Sequence, residues 1–331
     1  MVAWLCTLGL VVSASAHAQH IYWIQSGSIW RAGLDGREPE FVHQTGCAVA
    51  LALDPVEVRL YYADPCNNVI AYVDLRDGSE HIFLVSAGGS VDRLSLDSLD
   101  RKLYWRLSDH GLIFRSDLDI VDPQLILEPR NKFPYGDIED IFVSEDEGKL
   151  YWLEVFRPMT RRGFGYLARA DLDGANIEDL FTTTWSTQFG FAHRLLNLAR
   201  DNATGAIYTK TFLQYQVPQL GFVVERIERF TPGAFEPVVI YRPPFRRNIA
   251  DMAVDSVNGM LYILHTTGGG EELETIERVA LDECARPRNC PTEVIIDSVS
   301  NGRDIIVDPI GLDAVPAIWV PSSLPGNSRT R

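Results

Sequence analysis

The chain has 331 residues, 46% of them hydrophobic and 23% charged, which is enough apolar material for one large domain or two small ones and excludes a disordered chain. Its formal net charge of −15 excludes a general nucleic-acid binder, which needs surplus Lys and Arg to neutralise phosphates. The surplus acid biases encounters toward cationic surfaces.

At the N-terminus a largely apolar run, Val2 to Val12, is followed by Ser13-Ala14-Ser15-Ala16-His17-Ala18, small residues that fit an Ala-x-Ala cleavage site. No Lys or Arg precedes the run. Residues 1–18 are expected to be a signal peptide, so the mature chain is expected to be secreted or periplasmic/extracellular. No later stretch approaches the roughly 18 uninterrupted apolar residues that a membrane span needs, and none is expected after cleavage.

From residue 19 onward a short apolar-aromatic strand recurs: Ile21-Tyr22-Trp23, Leu60-Tyr61-Tyr62, Leu103-Tyr104-Trp105, Leu150-Tyr151-Trp152, Ile207-Tyr208 and Leu261-Tyr262, with Ile318-Trp319-Val320 left over near the end. The six tyrosines stand 39 to 57 residues apart, the blade period of a propeller. Most are preceded by another strand ending in Asp: Leu51 to Asp54, Leu94 to Asp97, Met252 to Asp255 and, closing the series, Ile305 to Asp308. In Ile141-Phe142-Val143-Ser144 and Leu196-Asn197-Leu198-Ala199 the Asp is absent. Asp54, Asp97 and Asp255 each precede their tyrosine by seven residues, across turns rich in Asp, Asn, Gly and Pro, as hairpins require. Two further strands follow in each unit, as in Leu167 to Leu172, the turn Asp173-Gly174, then Ile177 to Phe181. Each unit therefore reads as a four-stranded antiparallel sheet.

The Leu-Tyr-Trp segments, Tyr61-Tyr62-Ala63-Asp64, the seven-residue Asp spacing and the Leu172-Asp173-Gly174 turn together resemble the YWTD repeat, also called the low-density-lipoprotein receptor class B repeat. The closing Thr-Asp is mostly replaced, by Ile24-Gln25, Arg106-Leu107, Leu153-Glu154 and Leu264-His265. The resemblance implies an all-β, six-bladed β-propeller over residues 19–320, followed by a flexible tail, 321–331. An inner strand at Asp304 to Val307 is expected to join the N-terminal strand Ile21 to Ile24, closing the ring and removing two free sheet edges.

Without the signal peptide four cysteines remain, an even number in an exported chain. In a hairpin that pairs Leu53 with Leu60, paired residue numbers sum to 113; Cys47 and Cys66 meet the same sum, so they are expected to face each other. Cys284 and Cys290 bracket a five-residue loop that a second disulfide can close.

Enzyme motifs are absent: no His-Glu-x-x-His, Gly-x-Ser-x-Gly, phosphate-cradling glycine motif or calcium loop is present, and Gly268-Gly269-Gly270 reads as a hairpin loop. The recurring Asp residues read as turn caps rather than catalytic acids, and Asn202-Ala203-Thr204 as a turn rather than a glycosylation site. The alternative function is a metal-dependent, lactonase-like hydrolase. Gluconolactonase-type propellers hold a divalent metal in the axial channel, and Glu139, Asp251 and Asp304 here offer oxygen ligands for one divalent cation such as calcium.

The main functional expectation is a binding module with no cofactor and no catalytic residue. If the first two strands of a blade join at the lower end, the other long connections emerge together on the upper face, most of them from blades four and five. They carry Arg157, Arg161, Arg162, Phe164, Trp185, Phe189, Phe212, Tyr215, Tyr241, Arg242, Phe245, Arg246 and Arg247, residue types enriched at interface hot spots. Such a patch on an acidic body favours a protein or an anionic glycan as partner.

Overall fold

A computed structural model describes residues 19–85, 88–130, 136–156, 162–186, 191–217, 220–234, 236–244, 247–267, 274–285 and 290–308. The expected signal peptide, the tail 321–331 and Ile318-Trp319-Val320 lie outside the described residues.

The chain opens with β1 (His20–Gln25), β2 (Ser28–Gly33) and β3 (Glu40–Gln44), three strands of blade one. Blade two is β4 (Ala50–Asp54), β5 (Arg59–Asp64), β6 (Val69–Asp74) and β7 (Glu80–Val85). Blade three is β8 (Val91–Asp97), β9 (Lys102–Leu107), β10 (Leu112–Asp117) and β11 (Gln124–Leu127). In blade four, β12 (Gly136–Ser144), β13 (Lys149–Phe156), β14 (Arg162–Asp171) and β15 (Glu178–Ser186) are longer. So are β16 (Phe191–Arg200), β17 (Ile207–Val217) and β18 (Leu220–Phe230) of blade five, which ends in β19 (Val238–Tyr241). Blade six is β20 (Arg247–Asp255), β21 (Met260–Thr267), β22 (Glu274–Ala280) and β23 (Glu293–Val299). Finally β24 (Gly302–Asp308) pairs antiparallel with β1, Tyr22 opposite Ile306, and completes blade one. The six-bladed architecture and its closure match the sequence expectation.

The aromatic dipeptide is what cements the ring. Successive side chains of a strand point to opposite faces, so a blade's tyrosine reaches the next blade and the residue after it reaches the preceding one. Tyr104 packs in a cluster with Leu150 and Trp152 of blade four, while its neighbour Trp105 packs with Tyr61 and Ala63 of blade two. Tyr22 and Trp23 divide in the same way between blades two and six. The inner Asp residues cap their turns as expected. Asp54 accepts Val56 and Glu57 N–H groups at 3.0 and 3.3 Å, and Asp255 accepts Val257 and Asn258 at 3.0 and 2.9 Å. Blade five has this cap too, against the expectation: Asp201, seven residues before Tyr208, accepts the Ala203 N–H at 3.0 Å. Its seven-residue spacing to Tyr208 was the signal in the sequence, two residues beyond the segment Leu196 to Ala199.

Glycine is demanded where a turn abuts the adjacent blade. Gly174 has φ +84°, and a Cβ there would stand 2.4 Å from the Ile126 carbonyl oxygen; Gly36, φ +77°, meets Ile295 in the same way.

Both expected disulfides form, Cys47–Cys66 with Cα atoms 5.8 Å apart and Cys284–Cys290 with 4.9 Å. The register Leu53–Leu60 is the one expected. Asp64, the acid that survives at the end of its repeat, organises this corner by accepting N–H groups from Gly46 and Cys66, each at 3.0 Å. Cys47–Cys66 closes 19 residues, so replacing both cysteines with serine is expected to lower unfolding free energy by about 3 kcal/mol. Denaturant unfolding of the double variant beside the parent checks this, and an unchanged midpoint would refute it.

Candidate functional site

The inner strands surround an axial cavity of about 460 Å³. Each blade contributes the residue paired-strand register places eleven positions before its tyrosine: Ala50, Arg93, Asp140, Asn197 and Asp251, with Asp304 in the same place on β24, two residues before the partner of Tyr22. One inner ring therefore holds three Asp, one Asn and one Arg. A β-bulge makes it possible. Register shifts fall between Val91 and Arg93, between Ile138 and Asp140 and between Ile249 and Asp251, and an extra residue in a strand re-aims its neighbour.

The ring is stitched to the backbone. Asp140 accepts the Leu198 N–H of the next blade at 2.7 Å, Asp251 accepts Ile305 N–H at 3.2 Å, and Asp304 accepts Leu51 N–H. Asn197 donates its side-chain amide to Asp251 at 2.9 Å, and Arg93 pairs with Asp140 at 3.0 Å. Burial pushes the Asp140 carboxyl up to about 7, against the pull of Arg93 and with a further push from Asp251. Burial first, then the charge of Asp304 and a hydrogen bond with it, raises Asp251 well above the ordinary carboxylate range. Arg93 stays protonated among these acids.

Of the three residues expected to offer cation ligands, Asp251 and Asp304 come together here and Glu139 does not. Glu139 is the residue next to the bulge and pairs with Arg194 at 3.2 Å, while Asp140 faces the cavity. Among the described residues, three candidate ligand atoms lie within 4.8 Å of one another only at Cys47, Asp64 and Cys66, a disulfide and a turn acceptor. The channel acids give oxygens to N–H donors of the neighbouring blades. The eleven-residue count to the tyrosine was the signal that could have selected Asp140 over Glu139.

The upper face differs from the expected loops. Phe164, Trp185, Phe212 and Tyr215 lie in strands β14, β15 and β17, because those strands extend and pair beyond the blade rather than forming loops. Backbone groups that would otherwise need separate partners are satisfied by the ladder. Ser186 pairs with Phe191 across the boundary of blades four and five and joins them in one eight-stranded sheet. In register, Arg162 opposes Ser186, Ser186 opposes Phe191, and Phe191 opposes Tyr215, so Arg162, Trp185 and Tyr215 reach a single upper edge. Phe164 stacks on Phe156 with ring centroids 6.3 Å apart. Arg157, Arg161, Phe189, Phe245 and Arg246 lie outside the described residues.

Arg242 is exposed. Tyr241, by contrast, is 4% exposed and is no part of an open surface. Its hydroxyl donates to Glu277 at 3.1 Å and lies 3.0 Å from His265 Nε2, and Arg247 pairs with Glu277 at 2.8 Å. Burial lowers His265 to about 4, offset in part by Glu277, so the ring is neutral at pH 7. His265 stands at the acid position of its repeat, and a tyrosine-centred network replaces the Asp64 type of corner.

The chain is similar in fold to a chain of a nidogen/laminin complex, with TM-score 0.64 and 15% identity over 88% of this chain and 98% of that one. Hydrazine synthase of Kuenenia stuttgartiensis gives TM-score 0.53 and 13% identity over 78% and 71%. A gluconolactonase of Xanthomonas campestris gives 0.51 and 12% over 88% and 84%. At these identities the likeness is one of fold. No family model matches the chain.

Asp140 and Asp251 have folded-state pKa values above their unfolded ones, so a penalty absent at low pH appears as pH rises from about 4 and is complete above the raised values. Asp304→Asn keeps an acceptor for Leu51 and removes a charge facing Asp251. It is expected to stabilise the protein at pH 8 by on the order of 1 kcal/mol, with the gain fading toward pH 5. Thermal midpoints of parent and variant at both pH values decide it, and an equal shift at each pH would count against the shared-charge account.

Proposed function

We propose that this chain is an exported binding module, a divergent YWTD-type propeller, whose contact surface is the upper edge of blades four and five. The observation that carries the reading is the strand row from Arg162 through Ser186 and Phe191 to Tyr215, which spans two blades whose strands β14 to β18 run nine to eleven residues. Long ordered extensions add little to a propeller core and cost conformational entropy, so a use for them is the economical account. Arg157, Arg161, Arg162, Phe164, Trp185, Phe189, Phe212, Tyr215, Arg242, Phe245 and Arg246 supply the cationic and aromatic chemistry for an acidic protein or an anionic glycan. The fold neighbour in a complex with laminin supports a protein partner. The two disulfides support an oxidising compartment, and no helix among the described residues is long and apolar enough to cross a membrane.

The second reading, a lactonase with a channel metal, rests on the gluconolactonase-like fold and on the meeting of Asp251 with Asp304. Elemental analysis of the purified protein together with a lactone-hydrolysis assay separates the two. Stoichiometric divalent metal that is lost in Asp251→Asn, with lactone turnover, would favour the enzyme.

For the binding reading, Arg161→Ala combined with Arg162→Ala is expected to abolish salt-sensitive capture of partners from surrounding proteins and glycans, while stability stays within about 1 kcal/mol of the parent. Trp185→Ala should weaken capture in the same way. Equal capture by the double arginine variant, or unfolding of the Trp185 variant, would assign the sector to the scaffold.

A further inference from the structure

The axial channel changes character between its two ends. Three residues below each member of the polar ring, eight positions before the repeat tyrosine, stand Leu53, Leu96, Val143, Arg200 and Val254, with Val307 in the same place on β24. Five of these six are aliphatic, and the sixth, Arg200, is engaged by Asp146 at 2.9 Å. In blades two, three and six the next residue is the capping Asp, and the second residue of the turn it caps is again aliphatic. Val56, Leu99 and Val257 donate their N–H groups to those caps at 3.0, 3.1 and 3.0 Å. Leu99 is 72% exposed and Val257 64%, and Val257 reaches the wall of the cavity. Such turns favour Gly, Asn, Asp and Ser, so aliphatic side chains held in solvent around an apolar channel mouth make an uncovered apolar surface.

The course of the chain indicates what covers it. Asp308 lies opposite His20 as Asp97 lies opposite Lys102 and Asp255 opposite Met260. In the other blades that position leads into the inner turn, whereas in blade one β1 already holds the second-strand place, so the chain leaves β24 on the rim of the channel. β24 also adjoins β20, the strand that leads into the Val257 turn, through the Ile305 N–H bond to Asp251 at 3.2 Å. Of the twelve residues from Pro309 to Val320, outside the described ones, eight are apolar and one, Asp313, is charged. Ile318-Trp319-Val320, which the six blades do not use, begins ten residues beyond Asp308. Ten residues span at most about 35 Å, enough to return to the mouth from which the chain departs.

We propose that Ile318-Trp319-Val320 docks in the lower mouth of the channel, with the Trp319 indole between Leu99 and Val257 and against the ring of Leu53, Leu96, Val254 and Val307. A tethered segment meets this mouth at an effective concentration on the order of millimolar, an advantage that neither a second copy nor a separate partner has. Docking closes the channel from below and does not depend on the upper-edge reading.

The test is fluorine NMR of the full mature chain labelled with 5-fluorotryptophan, the Trp319 resonance being identified by its loss in Trp319→Phe. That resonance is expected to be displaced from its position in a free peptide of residues 313–325 and shielded from line broadening by a soluble gadolinium chelate. Leu99→Asp and Val257→Asp should each return it to the free-peptide position and remove the shielding, while the Trp23, Trp105 and Trp152 resonances stay in place and report intact blades. Val294→Asp, at an exposed aliphatic on the outer strand β23, should change nothing. The proposal is overturned if Trp319 is as open to the chelate as in the peptide, if it stays shielded in both rim variants, or if Val294→Asp moves it as far as they do. It is also overturned if the shielding fades on dilution, which would make the occupant a second copy.

Discussion

Antiparallel pairing of β24 with β1 is the contact on which the rest of the molecule depends. A propeller blade is apolar on both faces and has to be covered on both, so an open row of blades would leave two apolar faces and two sheet edges in solvent. Joining Ile305 to Trp23 and Ile306 to Tyr22 seats Trp23 against blade six and Tyr22 against blade two in one stroke. The same pairing places Asp304 in the channel ring, where it accepts the Leu51 N–H. Closure and the composition of the channel are therefore one constraint.

The channel is a polar interior built to be satisfied by the protein itself. Each acid of the ring bonds a backbone N–H of a neighbouring blade, and Asn197 and Arg93 occupy acid oxygens that face the cavity. Such a belt binds blade to blade around the axis.

A repeat also supplies an internal standard. Because each junction solves the same packing problem, a departure at one of them is visible without any second protein for comparison. His265 with Tyr241 and Glu277 rebuilds a corner that Asp64 makes alone in blade two, and its groups are mutually bonded. Thr209 stands where the other blades carry Trp23, Tyr62, Trp105, Trp152 or Ile263. The two departures differ in kind: one substitutes a network for a carboxylate, the other reduces side-chain volume.

Local pattern determined the fold. Tyrosine spacing, the Asp seven residues ahead, the Leu-Asp-Gly turns and the hairpin sum that pairs Cys47 with Cys66 all depend on strand alternation and turn geometry, which are properties of short segments. What needed the tertiary structure is whatever depends on a bulge or on a partner strand from another blade. Glu139 and Asp140 are adjacent acids, and the register shift after Ile138 alone aims the second one into the channel. Asp201, by contrast, keeps the seven-residue spacing to Tyr208 and was legible in the sequence. The segments around Trp185 and Tyr215 read as loops in the sequence. Their backbones pair with neighbouring strands of their own blades, Trp185 opposite Gly163 and Tyr215 opposite Phe191 and Phe222, and those ladders decide that they are strands, with Ser186 opposite Phe191 linking the two blades.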